Sequence, residues 1–241
     1  MPEIFASTND GNQSSALSGT WNAAHDHVGQ SNPIITHTTY NFAVGANYVS
    51  FRNAYFIRRS FFDFDTSGIT VAPTEATLKL YVTSTSYDNS DLIAVKSGHD
   101  PTDASEDWFS TWLTGLGGTL SGWSNSDSQV VAYSGQIAAG MGAGYVDIAL
   151  NSDALSDMAS LSSFKIVVMN YSADYQDSTP STNVYTGFRF ANYSNTTSDP
   201  KIDYTPGAAG YGHAVLGVAA GSIGKVNGVA TANIGKVIGV D

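Results

Sequence analysis

The sequence predicts an all-β protein, an antiparallel β-sandwich of jelly-roll type followed by an extended, Gly-rich C-terminal tail. Gly, Ser, Thr, Asn and Asp interrupt nearly every stretch, and the short apolar runs between them are rich in β-branched and aromatic residues. Many short strands separated by turn signals are typical of a sandwich. We therefore assign residues 1–206 to the sandwich and residues 207–241 to a linker and an assembly tail.

Two segments carry the clearest strand pattern. Side chains alternate across a strand, so in Arg58–Asp65 the rings of Phe62 and Phe64 share one face. In Thr77–Thr83 every second residue is apolar, which indicates a half-buried strand. The other predicted strands are short apolar runs between turn residues: Leu92–Lys96, Gln129–Tyr133, Tyr145–Ala149, Phe164–Asn170, Gly187–Asn192 and Lys201–Tyr204.

Helix signals are sparse. Ala104–Leu113, with Asp103 as its N-cap, and Ser152–Ser160 are the two segments that we predict to be short helices. The stretch Ala24–Asn32 is polar and is predicted to be a loop.

Charge and composition exclude several classes of function. The chain has 241 residues, a net charge of −11 and a pI near 4.5, which argues against nucleic acid because phosphate binding depends on Lys and Arg. It has no cysteine for a disulfide or a thiolate metal site. No apolar run is long enough to span a membrane, and the N-terminal stretch MPEIFASTNDGNQSS shows no signal peptide.

The C-terminus contains a segment that occurs twice. Gly217–Val229 reads GVAAGSIGKVNGV and Gly228–Val240 reads GVATANIGKVIGV. Short repeated units need neighbours to bury their apolar positions, so we expect this tail to bind other chains. The residues that we expect to make those contacts are Val218, Ile223, Lys225, Val226, Val229, Ile234, Lys236, Val237 and Val240.

The middle of the chain resembles the DNRLRE-type β-sandwich family, over roughly residues 3–206. That family has an Arg-led aromatic strand, a proline-containing connection, an A-x-L-x-L-Y-V strand and a closing P-x-L-x-I-x-Y strand. The matching residues here are Arg59, Phe61, Phe62, Phe64, Asp65 and Ser67, then Ala76, Leu78, Leu80, Tyr81 and Val82, then Pro200, Ile202 and Tyr204. Trp21 and Asn41–Gly45 also stand in the usual order. The resemblance implies a jelly-roll sandwich of surface and appendage proteins, sometimes a carbohydrate-binding module, and not an enzyme.

The tail is similar to C-terminal repeats on phage and prophage-encoded structural proteins. The two resemblances together imply a virion component, such as a capsid decoration, head-fibre or tail-associated subunit, that assembles in the host cytoplasm. Its expected partners are capsid or tail proteins and further copies of itself, with a trimer as one closed form. The alternative is a carbohydrate-binding module or surface adhesin that contacts glycans on a virion or cell surface.

Aromatic residues cluster at Trp108, Trp112 and Trp123. Trp rings can stack on the apolar faces of sugars, which would make a glycan-binding surface. The spacing of Trp108 and Trp112 equally suits packing of a helix onto the sandwich. Both interpretations stay open from the sequence.

Several polar clusters have residue types that suit catalytic or metal sites. Asp63 and Asp65 share a strand face, where solvation or pairing with Arg58, Arg59 or Arg189 is the simpler interpretation. Two acidic groups lack the spacing of a calcium-binding loop: Asp88, Asn89 and Asp91, and separately Asp174 and Asp177. Three histidines lack the further ligands of a zinc site: His25, His27 and His37. The sequence contains no G-x-S-x-G nucleophile elbow, no zinc-binding H-E-x-x-H motif and no glycine-rich phosphate-binding loop. We therefore predict no catalytic residue, no metal site and no cofactor.

Overall fold

A computed structural model of the chain describes residues 1–27, 39–83, 90–103, 107–194 and 196–208, together with 225–226 and 229–230. The strands are β1 (Glu3–Phe5), β2 (Gly11–Ser14), β3 (Thr39–Val49), β4 (Ala54–Asp65), β5 (Glu75–Val82), β6 (Leu92–Lys96), β7 (Gly144–Ala149), β8 (Ser163–Asn170), β9 (Val184–Arg189), β10 (Lys201–Thr205), β11 (Lys225–Val226) and β12 (Val229–Ala230). The helices are α1 (Trp21–His25), α2 (Trp108–Thr114) and α3 (Ser152–Ser160). Among the described residues, no helix has the length and apolar character needed to cross a membrane.

The fold is an antiparallel β-sandwich, as the sequence predicts. Its main path of strands runs β1-β10-β5-β9-β3-β4-β8-β6, while β2 adds to β4 and β7 adds to β5. The long strand β4 pairs with β3 along its first half and with β8 along its second half. β4 therefore has different neighbouring strands along its two halves.

Side chains alternate along β4 and β5, and this alternation determines which of them are buried in the main core. Phe62 and Phe64 are fully buried in the main core, together with Leu78 and Leu80 of β5. Phe61 lies on the other face of β4 and belongs to a second apolar cluster beneath α2. The sandwich therefore has a covered outer face as well as an interior.

Helix α3 confirms its prediction to the residue. Asn151 caps it, with the side-chain oxygen accepting from the backbone N–H groups of Asp153 and Ala154. Helix α2 begins at Trp108, directly after Asp107, so Asp103 is not its N-cap; residues 104–106 lie outside the described residues.

Three predictions of local structure are wrong. Gln129–Tyr133 forms only a single bridge, Val95↔Ala132, because the Ser134 hydroxyl accepts from Ala94 N–H and interrupts the ladder. Strand β9 begins at Val184 and ends at Arg189, so it begins and ends earlier than predicted. The predicted polar loop at Ala24 overlaps the end of α1, whose Trp21 and His25 are buried. Strands β1, β2 and β3 have no counterpart among the predicted strands.

Candidate functional site

The described part of the C-terminal repeat, residues 225–226 and 229–230, lies outside the sandwich sheet. Strands β11 and β12 form a separate two-stranded sheet, with Lys225 opposite Ala230 and Val226 opposite Val229. The Asn-Gly dipeptide between them in the sequence is the one that two-residue hairpins prefer. The other residues expected to make tail contacts lie outside the described residues: Val218, Ile223, Ile234, Lys236, Val237 and Val240.

The sandwich sheet is complete before the tail begins. Strand β10 ends at Thr205 with β1 on one side and β5 on the other. Thr205 accepts a hydrogen bond from Thr74 N–H at 2.9 Å. Gly207 then passes so close to Ala72 that a Cβ would lie 2.1 Å from its carbonyl oxygen. The chain is therefore held against the sandwich as far as Gly207.

The sandwich and the tail differ in net charge. Residues 1–206 contain eight of the ten Lys and Arg residues and 20 of the 21 Asp and Glu residues, a net charge of −12. Residues 207–241 contain two lysines and one aspartate, a net charge of +1. The sandwich and the tail therefore carry net charges of opposite sign.

The three tryptophans of the aromatic cluster are packing residues in this fold. Trp108, Trp112 and Trp123 are at most 2% exposed and cover the outer face of β4, β6 and β8. Trp112 and Trp123 meet edge to face with ring centroids 5.0 Å apart. Trp108 donates its Nε1–H to the carbonyl of Asp100 at 2.8 Å. A sugar ring has no access to these indole faces within the described chain.

A fully buried ion pair lies beside this aromatic cluster. Arg59 donates from Nε and Nη2 to the two carboxylate oxygens of Asp174, at 2.8 and 2.7 Å. Its guanidinium also lies 4.1 Å from the ring centroid of Phe109 and near the rings of Trp112 and Trp123. Both partners have no exposed side-chain surface. Buried charges persist in proteins when they are paired and hydrogen-bonded in this way.

A turn of π-helix brings Asp174 to Arg59. The turn covers Tyr171–Tyr175, directly after β8, and the Asn170 side chain caps it by accepting from Ala173 N–H at 2.6 Å. His25 of α1 contacts the carbonyl oxygen of Asp174 through Nε2 at 2.9 Å. The network therefore ties α1, β4 and the end of β8 together.

This network corrects the sequence interpretation of Arg59. Asp65 is exposed beside Ser67, which agrees with a solvated strand face, whereas Asp63 accepts a hydrogen bond from the hydroxyl of Ser163. The partner of Arg59 is instead Asp174, which the sequence suggested to be part of an acidic loop. The sequence signal that would have found the pair is the Asn at position 170, which favours a capped turn.

Of the remaining polar candidates, Asp91 and Asp177 are held in hydrogen bonds, whereas the Nε2 of His27 has no partner among the described residues. Asp91 accepts from Asn170, Ser172 and Gln136, and these residues line an open cleft of about 510 Å³. Asp177 accepts from the Trp21 indole at 2.7 Å. His37, Asp88 and Asn89 lie outside the described residues. Among the residues that the structure describes, no three His, Asp or Glu side chains come together as metal ligands.

A second cleft, of about 420 Å³, lies between β6, β8 and the residue after α2. Lys96, Lys165 and Tyr133 line it. Lys96 pairs with Asp157 at 2.7 Å, and Tyr133 donates to the same carboxylate. Lys165 donates to the carbonyl of His99 at 2.8 Å.

Burial and the neighbouring Lys165 lower the pKa of His99 to about 3, so this imidazole is neutral at ordinary pH.

Two buried carboxylates stand apart from these networks. Asp10 is 1% exposed and Asp199 is 6% exposed, and each has one carboxylate oxygen that no donor among the described residues reaches. Burial raises the pKa of both groups, and the charge of Asp199 adds to the rise at Asp10, which reaches about 8. The sequence gives no motif for this pair, since its members stand near opposite ends of the sandwich sequence.

Comparisons with known proteins leave the family open. No known family model matches the chain, and no curated protein shows significant similarity to it.

Proposed function

We propose that this protein is a non-enzymatic structural subunit of a phage-like virion that joins its particle through the C-terminal repeat. The single observation that carries the proposal is the placement of the repeat. Its described strands pair only with each other, after a sandwich sheet that ends at Thr205 with both neighbouring strands in place. The described strands of the repeat, which the sandwich sheet does not use, would be available to other chains.

The chemistry of the repeat suits attachment. Each copy carries the frame I-G-K-V-x-G-V, in which branched apolar residues alternate with glycines that permit close backbone approach. Backbone pairing at a strand edge would set the register, and Ile and Val would bury apolar area. Two lysines in a tail of net charge +1 would favour the acidic sandwich, of net charge −12, of a neighbouring copy.

The interpretation as a glycan-binding module has less support. Its candidate tryptophans, Trp108, Trp112 and Trp123, are packed against the sandwich. The resemblance to DNRLRE-type domains agrees with a displayed sandwich. We therefore place the sandwich on the particle exterior and the tail at the attachment point.

Truncation tests the proposal. The full chain, a variant that ends at Pro206, and the double variant Ile223→Asp, Ile234→Asp are compared by sedimentation velocity and circular dichroism. We expect all three to keep the β-sheet spectrum and only the full chain to self-associate. Self-association by the truncated chain would contradict the role of the tail.

Localising the protein by electron microscopy tests whether it is a virion component. Antibodies against residues 1–206 are applied in immunogold electron microscopy to particles purified from lysates of the source culture. We expect regular labelling of particles at a fixed copy ratio. Label confined to cell envelopes, with none on particles, would instead support the adhesin alternative.

A further inference from the structure

The cleft of about 510 Å³ opens at the end of the sandwich opposite the start of the tail. Strand β8 ends at Asn170, which lines the cleft, and begins at Ser163, which pairs with Asp65 at the end of β4. The loop after Asp65 contains Ala72, against which Gly207 packs. The tail therefore leaves the sandwich near one end of β8, and the cleft lies at the other.

The lining of this cleft combines small apolar side chains with a single charge. Ala138, Ala139, Ala173 and Val184 supply apolar surface, and Asp91 is the one charged residue among those that line it. The other lining residues are uncharged polar residues and a proline. Such a cleft suits a ligand that brings branched apolar side chains of moderate size together with a positive charge.

Asp91 has no counter-ion among the described residues. It is 9% exposed and accepts hydrogen bonds from Gln136 Nε2 at 2.8 Å, from Asn170 Nδ2 at 2.7 Å and from the hydroxyl of Ser172. No ion pair in the described part of the chain includes it. These neutral donors fix the carboxylate in position and leave its negative charge uncompensated. A cation that entered the cleft would meet this charge where little water screens it.

The described part of the tail has the complementary residue types. Residues 225–226 and 229–230 pair as a small antiparallel sheet, which we call the tail hairpin, with Val226 opposite Val229 and Lys225 opposite Ala230. Residues directly opposite each other in an antiparallel pair occupy the same face. The register therefore groups the two valines and separates them from the lysine.

Two other clefts match the tail hairpin less well. The cleft of about 420 Å³ is lined by Lys96 and Lys165 and by no acidic residue, so it would repel Lys225. A cleft of about 350 Å³ between the loops after β4 and α3 has no charged residue in its lining. Of these three clefts, only the one at Asp91 offers a negative charge.

We propose that the cleft at Asp91 receives the tail hairpin of a second copy of this chain. The inference rests on the proposed function, because it names the surface to which the repeat attaches. Val226 and Val229 would bury apolar area against the alanines of the lining, and Lys225 would supply the missing counter-ion of Asp91. The contact is heterologous, because each copy gives its tail to the next and receives another at its far end.

The length of the tail permits this contact. The segment between Gly207 and Lys225, residues 208–224, spans up to about 60 Å when extended. It therefore reaches the cleft of an adjoining sandwich without any change in the sandwich that it leaves.

Introduced cysteines test the contact directly, because the chain contains no cysteine of its own. Full-length Ala139→Cys and Val226→Cys chains that carry different tags are mixed under mild oxidation, and mixed disulfides are followed on non-reducing gels. The control pair is Ser67→Cys with Val226→Cys, since Ser67 is exposed as Ala139 is and lines the uncharged cleft. We expect the first pair to cross-link at least about tenfold faster, because docking raises the effective concentration of the two thiols.

Sedimentation velocity of full-length variants tests the same contact without cross-linking. Ala139→Trp, which fills the cleft, should abolish self-association, whereas Ser67→Trp should leave it unchanged. Lys225→Glu should weaken self-association by at least about tenfold, because it places a like charge against Asp91. Lys236→Glu is the matched control, since the second copy of the repeat has Ile-Gly where the first has the turn-forming Asn-Gly, and it should associate as the wild type does.

The outcomes separate this inference from the proposed function. Wild-type self-association that persists in Ala139→Trp, or equal cross-linking of the two cysteine pairs, would overturn the cleft as the receiving surface and leave the tail as the attachment point. A wild-type chain that does not self-associate would overturn both the cleft and the pairing of copies through the tail. If Ala139→Trp does not fold by circular dichroism, the cysteine pairs decide.

Discussion

Arg59 and Asp174 form a two-point ion pair with no exposed side-chain surface on either partner. The pair joins the middle of β4 to the π-helical turn after β8. The rings of Phe109, Trp112 and Trp123 surround the guanidinium. Each partner depends on the other, because a single charge left in this environment would have neither water nor a counter-ion.

Removing one partner of this pair should destabilise the fold strongly. We expect Asp174→Asn to lower the free energy of unfolding by about 3–5 kcal/mol, because the Arg59 charge would stay buried without its counter-ion. Arg59→Lys should also destabilise, since an ammonium cannot make the two parallel hydrogen bonds. Urea unfolding followed by circular dichroism measures both. Lys79→Met, in a partly exposed pair with Asp147, is the control and should lose about 0–1 kcal/mol. Equal losses in Asp174→Asn and the control would contradict the burial of the pair.

Truncation of Trp112 tests the packing role of the aromatic cluster. Trp112, a residue of α2, is fully buried against the sandwich, so Trp112→Ala should lower the free energy of unfolding by about 3–5 kcal/mol through the cavity it leaves. Phe51→Ala, at an exposed ring, should change it by less than about 0.5 kcal/mol. The measurement is again urea unfolding. A small loss at Trp112, together with loss of glycan-array binding, would support the glycan-binding alternative.

Gly98 is expected to tolerate no side chain. A Cβ there would lie 2.6–2.8 Å from backbone atoms of Gly115 and Leu116, which cannot turn aside as a side chain can. We expect Gly98→Ala to destabilise the protein by about 1–3 kcal/mol, measured by thermal unfolding. Gly135→Ala has open space and should be neutral or slightly stabilising. The prediction fails if the two alanine variants melt at the same temperature.

His99 should make stability depend on pH. Burial lowers its folded-state pKa to about 3, whereas the unfolded chain takes up the proton near pH 6.5. Between these values unfolding binds a proton, so stability falls as pH falls, by up to about 1.4 kcal/mol per pH unit from this residue. His99→Asn should remove that part of the slope in urea unfolding measured between about pH 4 and pH 7. Identical slopes in both proteins would contradict a neutral imidazole in the folded state.

Local patterns in the sequence predict the fold class and several elements. Alternation in Arg58–Asp65 and Thr77–Thr83 predicted β4 and β5 because a strand with one buried face must repeat every two residues. The sequence also predicted α3 at Ser152–Ser160, and the structure shows that the Asn151 side chain caps its first turn. These signals depend only on residues close together in the sequence, so they can be recognised without knowledge of the tertiary contacts.

Contacts between distant polar and aromatic residues could be identified only in the tertiary structure. Alternation showed that β4 has two faces, and packing of α2 decided that Trp112 covers the outer one. Arg59 and Asp174 lie far apart in the sequence and meet only in the folded chain. Long-range pairs leave no periodic mark in the chain, because their spacing depends on strand order and loop paths and not on local geometry.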